Sequence, residues 1–143
     1  MKKILKKYKL SVGCSTQNLE IIRNFVLNIA VQAGMNKDQI GQIELAVDEA
    51  STNVIKHSCD YNESKTLSIV IKVLKDKFII EIIDRGSKQF DPNSVQAVNL
   101  KEFVKNRKHG GLGIHLMKNL MDDVQYFSGD KNYNRVKLVK NIT

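Results

Sequence analysis

Between Leu67 and Ile83 the chain spells two apolar arms joined by a polar turn. Leu67, Ile69, Ile71 and Val73 recur at every second position, Lys75-Asp76-Lys77 interrupts, and Phe78 to Ile83 forms the second arm. A period of two with a short polar insert predicts a β-hairpin. Ile79, Ile80, Ile82 and Ile83 nearly fill the second arm. That arm is therefore expected at the centre of a sheet and covered on both faces.

The segments around this hairpin decide what covers it. Leu5, Tyr8, Leu10 and Val12 alternate loosely among lysines, which predicts an edge strand whose charges discourage edge-to-edge pairing. Ser15 or Thr16 is placed to cap a helix running to about Ala33, with Leu19, Ile22, Phe25, Val26 and Ile29 as its apolar face and Gly34 closing it. Asn36 caps a second helix that ends near Cys59. After the hairpin, Ser87 to His109 shows little order apart from an Asp91-Pro92-Asn93 turn and a short amphipathic stretch from Leu100 to Asn106. A segment of that kind inside a compact domain is usually a functional loop. Gly110-Gly111-Leu112-Gly113 then opens a helix with Ile114, Leu116, Met117, Leu120 and Met121 on its apolar face. Val124, Tyr126 and Phe127 start another strand, and Val136 and Leu138 belong to a closing one. Helices come in a pair instead of alternating with strands, which excludes a doubly wound parallel sheet. The expectation is an α+β two-layer sandwich, a mixed but mostly antiparallel sheet covered by helices on one face.

At 143 residues the chain is expected to be one domain, 1–143, with no repeat or linker. No apolar run approaches the roughly 20 residues of a membrane span, and the basic start at Lys2 and Lys3 lacks the apolar stretch of a signal peptide. Cys14 and Cys59 have no metal-ligand spacing and fit a reducing cytoplasm, although spacing does not exclude their pairing. The net charge of +8 is spread through the chain, with no basic run interleaved with stacking aromatics. It reads as a lysine-rich surface or a face for an acidic protein partner, ahead of a nucleic-acid site.

Chemistry concentrates in three places. On the second helix, Ile43, Val47, Ala50 and Val54 make an apolar stripe edged by Glu49 and Asn53, one turn apart, with His57 extending the same row. Taken alone, this describes many solvated helix faces. At the end of an apolar strand stands Asp84-x-Gly86, which alone is an Asp in a turn. The third place is Gly110-Gly111-Leu112-Gly113, glycines that let backbone N–H groups and a helix N-terminus approach phosphate, or simply a loose helix start. No G-x-x-x-x-G-K-[ST] loop and no H-R-D or D-F-G set is present, so neither the P-loop nor the protein-kinase arrangement applies.

Together, these segments resemble the ATP-binding (Bergerat-type) fold shared by DNA gyrase, the heat-shock-90 chaperone, sensor histidine kinases and the MutL repair proteins. Within that superfamily the chain is most similar to the bacterial anti-sigma-factor serine/threonine kinases, over nearly its whole length. Glu44 through His57 looks like that family's N box. Asp84-Arg85-Gly86 with Phe90-Asp91-Pro92 looks like its first glycine box, and Gly110 through Val124 like its second, including the Met121-Asp122-Asp123-Val124 tail. The resemblance implies that Asn53 ligates Mg²⁺ bridging the triphosphate and that Glu49 is the general base. It implies that Asp84 accepts from the adenine amino group, that Gly86 lets the backbone pass the base, and that Gly110, Gly111, Leu112 and Gly113 give the phosphate-binding turn. Arg107 and Lys108 would add charge near the γ-phosphate, residues 87–109 would form an ATP lid, and His57 would pack beside the site. The chain departs from the family where Lys88 or Gln89 stands in place of a second glycine, and where Asn134-Arg135 replaces a Gly-Thr pair of other branches.

The function implied is an ATP- and Mg²⁺-dependent serine-protein kinase of the cytoplasm. It would act as an anti-sigma factor, phosphorylating a serine of an anti-sigma-factor antagonist and sequestering a sigma factor. A homodimer is implied too, since family members pair through the N-terminal strand and first helix. The alternative is an ATP-binding regulatory module that sequesters a partner without phosphoryl transfer. A stand-alone histidine-kinase catalytic domain and a nucleic-acid-binding protein rank below both.

Overall fold

The computed structural model describes residues 3–84, 117–129 and 133–142. Strand β1 spans Ile4–Gly13. A 3₁₀ turn over Thr16–Asn18 follows, N-capped by the Ser15 hydroxyl, which accepts from the Gln17 amide at 3.2 Å. Helix α1 runs Leu19–Gln32 and closes at Gly34. There the chain turns left-handed (φ +87°), and the Met35 amide reaches back to the Ala30 carbonyl at 3.2 Å. That is the conformation glycine adopts without a steric penalty. Helix α2, Lys37–Asn53, starts with a reciprocal capping box between Asn36 and Gln39, both bonds 2.8 Å. Strands β2 (Thr66–Leu74), β3 (Lys77–Asp84), β4 (Asp123–Gly129) and β5 (Tyr133–Asn141) complete the order.

The strands form one sheet in the order β1-β2-β3-β5-β4, antiparallel at each pairing. The expected edge position of β1 and central position of β3 are both observed. One face of the sheet carries Ile69 and Ile71 of β2, Phe78, Ile80 and Ile82 of β3, and Val136 and Leu138 of β5. These pack into a single core with Ile22 and Val26 of α1 and Ile43, Val47 and Ala50 of α2. The α+β two-layer arrangement follows from this division, each helix burying one stripe and the sheet one face. Residues 117–120 are helical, and Met117 and Met121 join the same core.

The opposite face corrects one expectation. No described helix covers β3 there, and Ile79 and Ile83 are half-buried. Between them Glu81 is buried by ion pairing: Lys72 Nζ lies 2.7 Å from its Oε1 and Arg135 Nη1 3.0 Å from its Oε2. The Arg135 guanidinium also lies 4.2 Å from the Phe127 ring centroid. Long side chains from neighbouring strands, not a second layer, shield this face. The cysteines supply a second difference. Cys14 and Cys59, fully buried, form a disulfide across a Cα separation of 6.2 Å. The expectation of a reducing compartment therefore loses the support it drew from unpaired thiols.

Candidate nucleotide site

Helix α2 carries Glu49 and Asn53 of the candidate site. Its rotation is pinned by α1: Arg23 Nε donates to both Asp48 carboxylate oxygens, at 3.0 and 3.1 Å. That hydrogen bond and the Asp48 charge raise the Arg23 pKa above its already high ordinary value. Ile43, Val47, Ala50 and Val54 are each at most 1% exposed, so the apolar stripe faces the sheet as expected. Glu49 is half-buried at the stripe's border. Asn53 goes deeper than expected, with 3% exposure, at the last α-helical position.

Beyond Asn53 the winding changes. Val54–Ser58 is a π-helical turn, closed by the Cys59 amide on the Val54 carbonyl at 2.9 Å. His57 lies within this wider turn. His57 is half-buried, and burial, with a smaller contribution from Lys56, holds its pKa below the ordinary 6.5. The packed-histidine reading fits this placement. The chain leaves the π-turn through Asp60 (φ 53°) and Tyr61 (φ 58°), both left-handed. The Tyr61 amide bonds back to the Ile55 carbonyl at 2.9 Å, and the Cys14–Cys59 bond ties the same corner to the end of β1. Left-handed non-glycine residues cost about 1–2 kcal/mol each and persist where surroundings enforce them.

The end of β3 carries Asp84, the third candidate residue. Asp84 continues the alternation of Phe78, Ile80 and Ile82, so it faces the helix layer, with 1% exposure. Its cross-strand partner is Asn134, 4% exposed, whose Nδ2 donates to Asp84 Oδ1 at 3.4 Å. Sequence reading noted Asn134 only as a departure from other branches. Its place opposite Asp84 follows from the β3–β5 register, which no local pattern reports.

Asn53, Asp84 and Asn134 are thus polar groups in an otherwise apolar layer. Ser51 Oγ, Asn53 Nδ2 and Ser58 Oγ are buried and make no hydrogen bond among the described residues. An unmatched buried polar atom costs about 1–3 kcal/mol, so an unpartnered Asn53 amide fits a position that meets a polar group from a ligand. The Asn53 carboxamide fits Mg²⁺ held mainly by phosphate oxygens and water, for which one protein oxygen is enough. Gly86, Arg107, Lys108, Gly110, Gly111, Leu112 and Gly113 lie outside the described residues, as does the whole of the expected lid at 87–109.

Residues 15–140 match the family model described as histidine kinase-like ATPase domain, and the chain belongs to that family. Among its relatives are serine-protein kinases RsbW. The protein of that name from Halalkalibacterium halodurans is 31% identical over 121 residues, covering 82% of this chain and 73% of the relative. The one from Staphylococcus aureus strain MSSA476 is 31% identical over 127 residues, covering 83% and 77%. The fold recurs in the RsbU and RsbW domains of Rv1364c from Mycobacterium tuberculosis, with TM-score 0.67, 12% identity, and 94% of this chain and 32% of that one covered. It recurs again in the SiaB–SiaC complex from Pseudomonas aeruginosa, with TM-score 0.60, 11% identity, and coverage of 99% and 92%.

Proposed function

We propose that this chain is an ATP-dependent serine-protein kinase acting as an anti-sigma factor: it phosphorylates a serine of an anti-sigma-factor antagonist and sequesters a sigma factor. The observation that carries the reading is the pairing of half-buried Glu49 with buried Asn53 on α2, in a chain whose relatives are serine-protein kinases. Phosphoryl transfer is achieved mostly by positioning and electrostatics, which is what a rigid helix against a sheet provides. Asn53 would hold Mg²⁺, which when bound would neutralise charge on the triphosphate. Glu49, accessible enough to meet an incoming serine, takes its hydroxyl proton. Asp84 would accept from the adenine amino group, and Gly110, Gly111 and Gly113 are the residues proposed to meet phosphate.

A second reading keeps ATP binding without transfer: an ATP-binding regulatory module that sequesters a protein partner. It is favoured by Lys88 and Gln89 where the first glycine box often carries another glycine. Incubation with Mg-ATP and an anti-sigma-factor antagonist separates the two. Phosphoserine on the antagonist supports the kinase; tight ATP binding by calorimetry with no phosphoserine supports the module.

A further inference from the structure

Cys14 and Cys59 take no part in the proposed phosphoryl transfer, yet their bond sits one turn from Asn53. Asn53 is the last residue of α2, and the π-turn Val54–Ser58 that follows it ends on Cys59. Asn53 Nδ2 makes no hydrogen bond among the described residues, which leaves backbone and packing to hold the carboxamide in place. Just beyond Cys59, Asp60 (φ 53°) and Tyr61 (φ 58°) are left-handed, a conformation that non-glycine residues keep where their surroundings enforce it. What enforces it here is the Tyr61 amide on the Ile55 carbonyl at 2.9 Å, the Cys14 amide on the Lys65 carbonyl at 3.0 Å, and the Cys14–Cys59 disulfide. The disulfide is the covalent tie between the end of β1 and the segment that follows Asn53.

Both cysteines are fully buried, but residues 60–64 beside Cys59 are exposed, so a local opening of that loop is enough to admit a thiol. Disulfides in reducing compartments are mostly transient and redox-sensing. We propose that the Cys14–Cys59 bond is a redox-sensitive clamp on Asn53: the disulfide holds the corner in its Mg-ATP-binding form, and reduction by a dithiol lowers Mg-ATP affinity while the sheet stays folded. A thiolate of the reductant attacks one sulfur and releases the other as a thiol, and the reductant's second thiol then displaces the first sulfur. Two electrons and two protons pass to Cys14 and Cys59, and the reductant closes into its own disulfide. The clamp acts on nucleotide only if Asn53 holds Mg-ATP, as the kinase reading has it. Coupling of this kind is reciprocal. If the disulfide tightens Mg-ATP binding about tenfold, Mg-ATP makes the bond harder to reduce by the same factor, about 30 mV.

The test titrates the full chain with Mg-ATP by calorimetry, oxidised and after reduction with dithiothreitol. Reduction is expected to weaken binding about tenfold, and reoxidation to restore it. The double variant Cys14→Ser/Cys59→Ser should bind like the reduced chain and ignore dithiothreitol. In mixtures of reduced and oxidised dithiothreitol, the oxidised fraction of the chain is read by thiol alkylation and mass spectrometry. Its midpoint should move about 30 mV more negative when Mg-ATP is added. Any of three results overturns the clamp: equal Mg-ATP affinity in the two states, a midpoint that Mg-ATP does not move, or loss of the far-UV circular dichroism signal on reduction, which would make the bond a structural staple. Equal binding by both states removes the clamp alone, whereas no Mg-ATP binding by either state removes the nucleotide site with it.

Discussion

Asp84 and Asn134 face each other across the β3–β5 ladder, both nearly sealed from solvent, with Asn134 Nδ2 3.4 Å from Asp84 Oδ1. The bond is long, and the carboxylate has capacity for further donors. Asn134 thus orients an acceptor that the proposed function assigns to the adenine amino group. Replacing Asp84 by Asn exchanges an acceptor for a donor. Asp84→Asn is expected to weaken ATP binding by about tenfold to a hundredfold, with a smaller loss for GTP. Calorimetry with both nucleotides checks this, and an equal loss for ATP and GTP would remove the adenine assignment.

Glu81 depends on its two cations, because its side chain is only 4% exposed. The double variant Lys72→Met/Arg135→Met should cost about 3 kcal/mol by urea unfolding, since it leaves a buried carboxylate without partners. Adding Glu81→Met should restore most of that loss. If the triple variant is no more stable than the double, the cost belongs to lost packing instead.

The Cys14–Cys59 bond closes a loop with a sequence separation of 45, for which chain entropy gives about 4 kcal/mol. Dithiothreitol should therefore lower the melting temperature of the wild type. Cys59→Ser should start lower and show no response to the reductant. A wild type insensitive to dithiothreitol would mean that the bond does not contribute.

The depressed His57 pKa sets a direction for acid stability. The folded state holds the imidazole neutral below its ordinary 6.5, so the unfolded state binds more protons there. The stabilisation is present above pH 6.5 and is lost as the pH falls through the lowered folded value. His57→Gln should flatten the decline in unfolding free energy measured between about pH 7 and pH 5. An unchanged slope would assign the acid sensitivity to other groups.

The layers were legible because they rest on period and on caps. Ile43, Val47, Ala50 and Val54 announced the buried face of α2, Asn36 its start, and the Leu67–Ile83 arms the hairpin. What escaped depends on residues distant in sequence. Glu81 had no role in the sequence pattern, because its partners Lys72 and Arg135 come from the two neighbouring strands. The disulfide needed the end of β1 to meet the end of the α2 segment. The π-turn at Val54–Ser58 interrupts nothing in the apolar pattern, so it left no periodic trace. Of the candidate site, Glu49, Asn53 and Asp84 were named by motif, whereas the pairing of Asn134 with Asp84 became apparent only through register.

The central claim is that two residues one turn apart on α2 divide the work, Asn53 toward Mg-ATP and Glu49 toward the serine hydroxyl. The direct measurement compares wild type, Glu49→Ala and Asn53→Ala for Mg-ATP affinity by calorimetry and for phosphoserine formed on an anti-sigma-factor antagonist. Glu49→Ala should bind Mg-ATP like the wild type and transfer phosphate about a hundredfold or more slowly. Asn53→Ala should lose Mg-ATP affinity. Loss of ATP affinity in Glu49→Ala with retention in Asn53→Ala, or undiminished transfer by Glu49→Ala, would contradict the account.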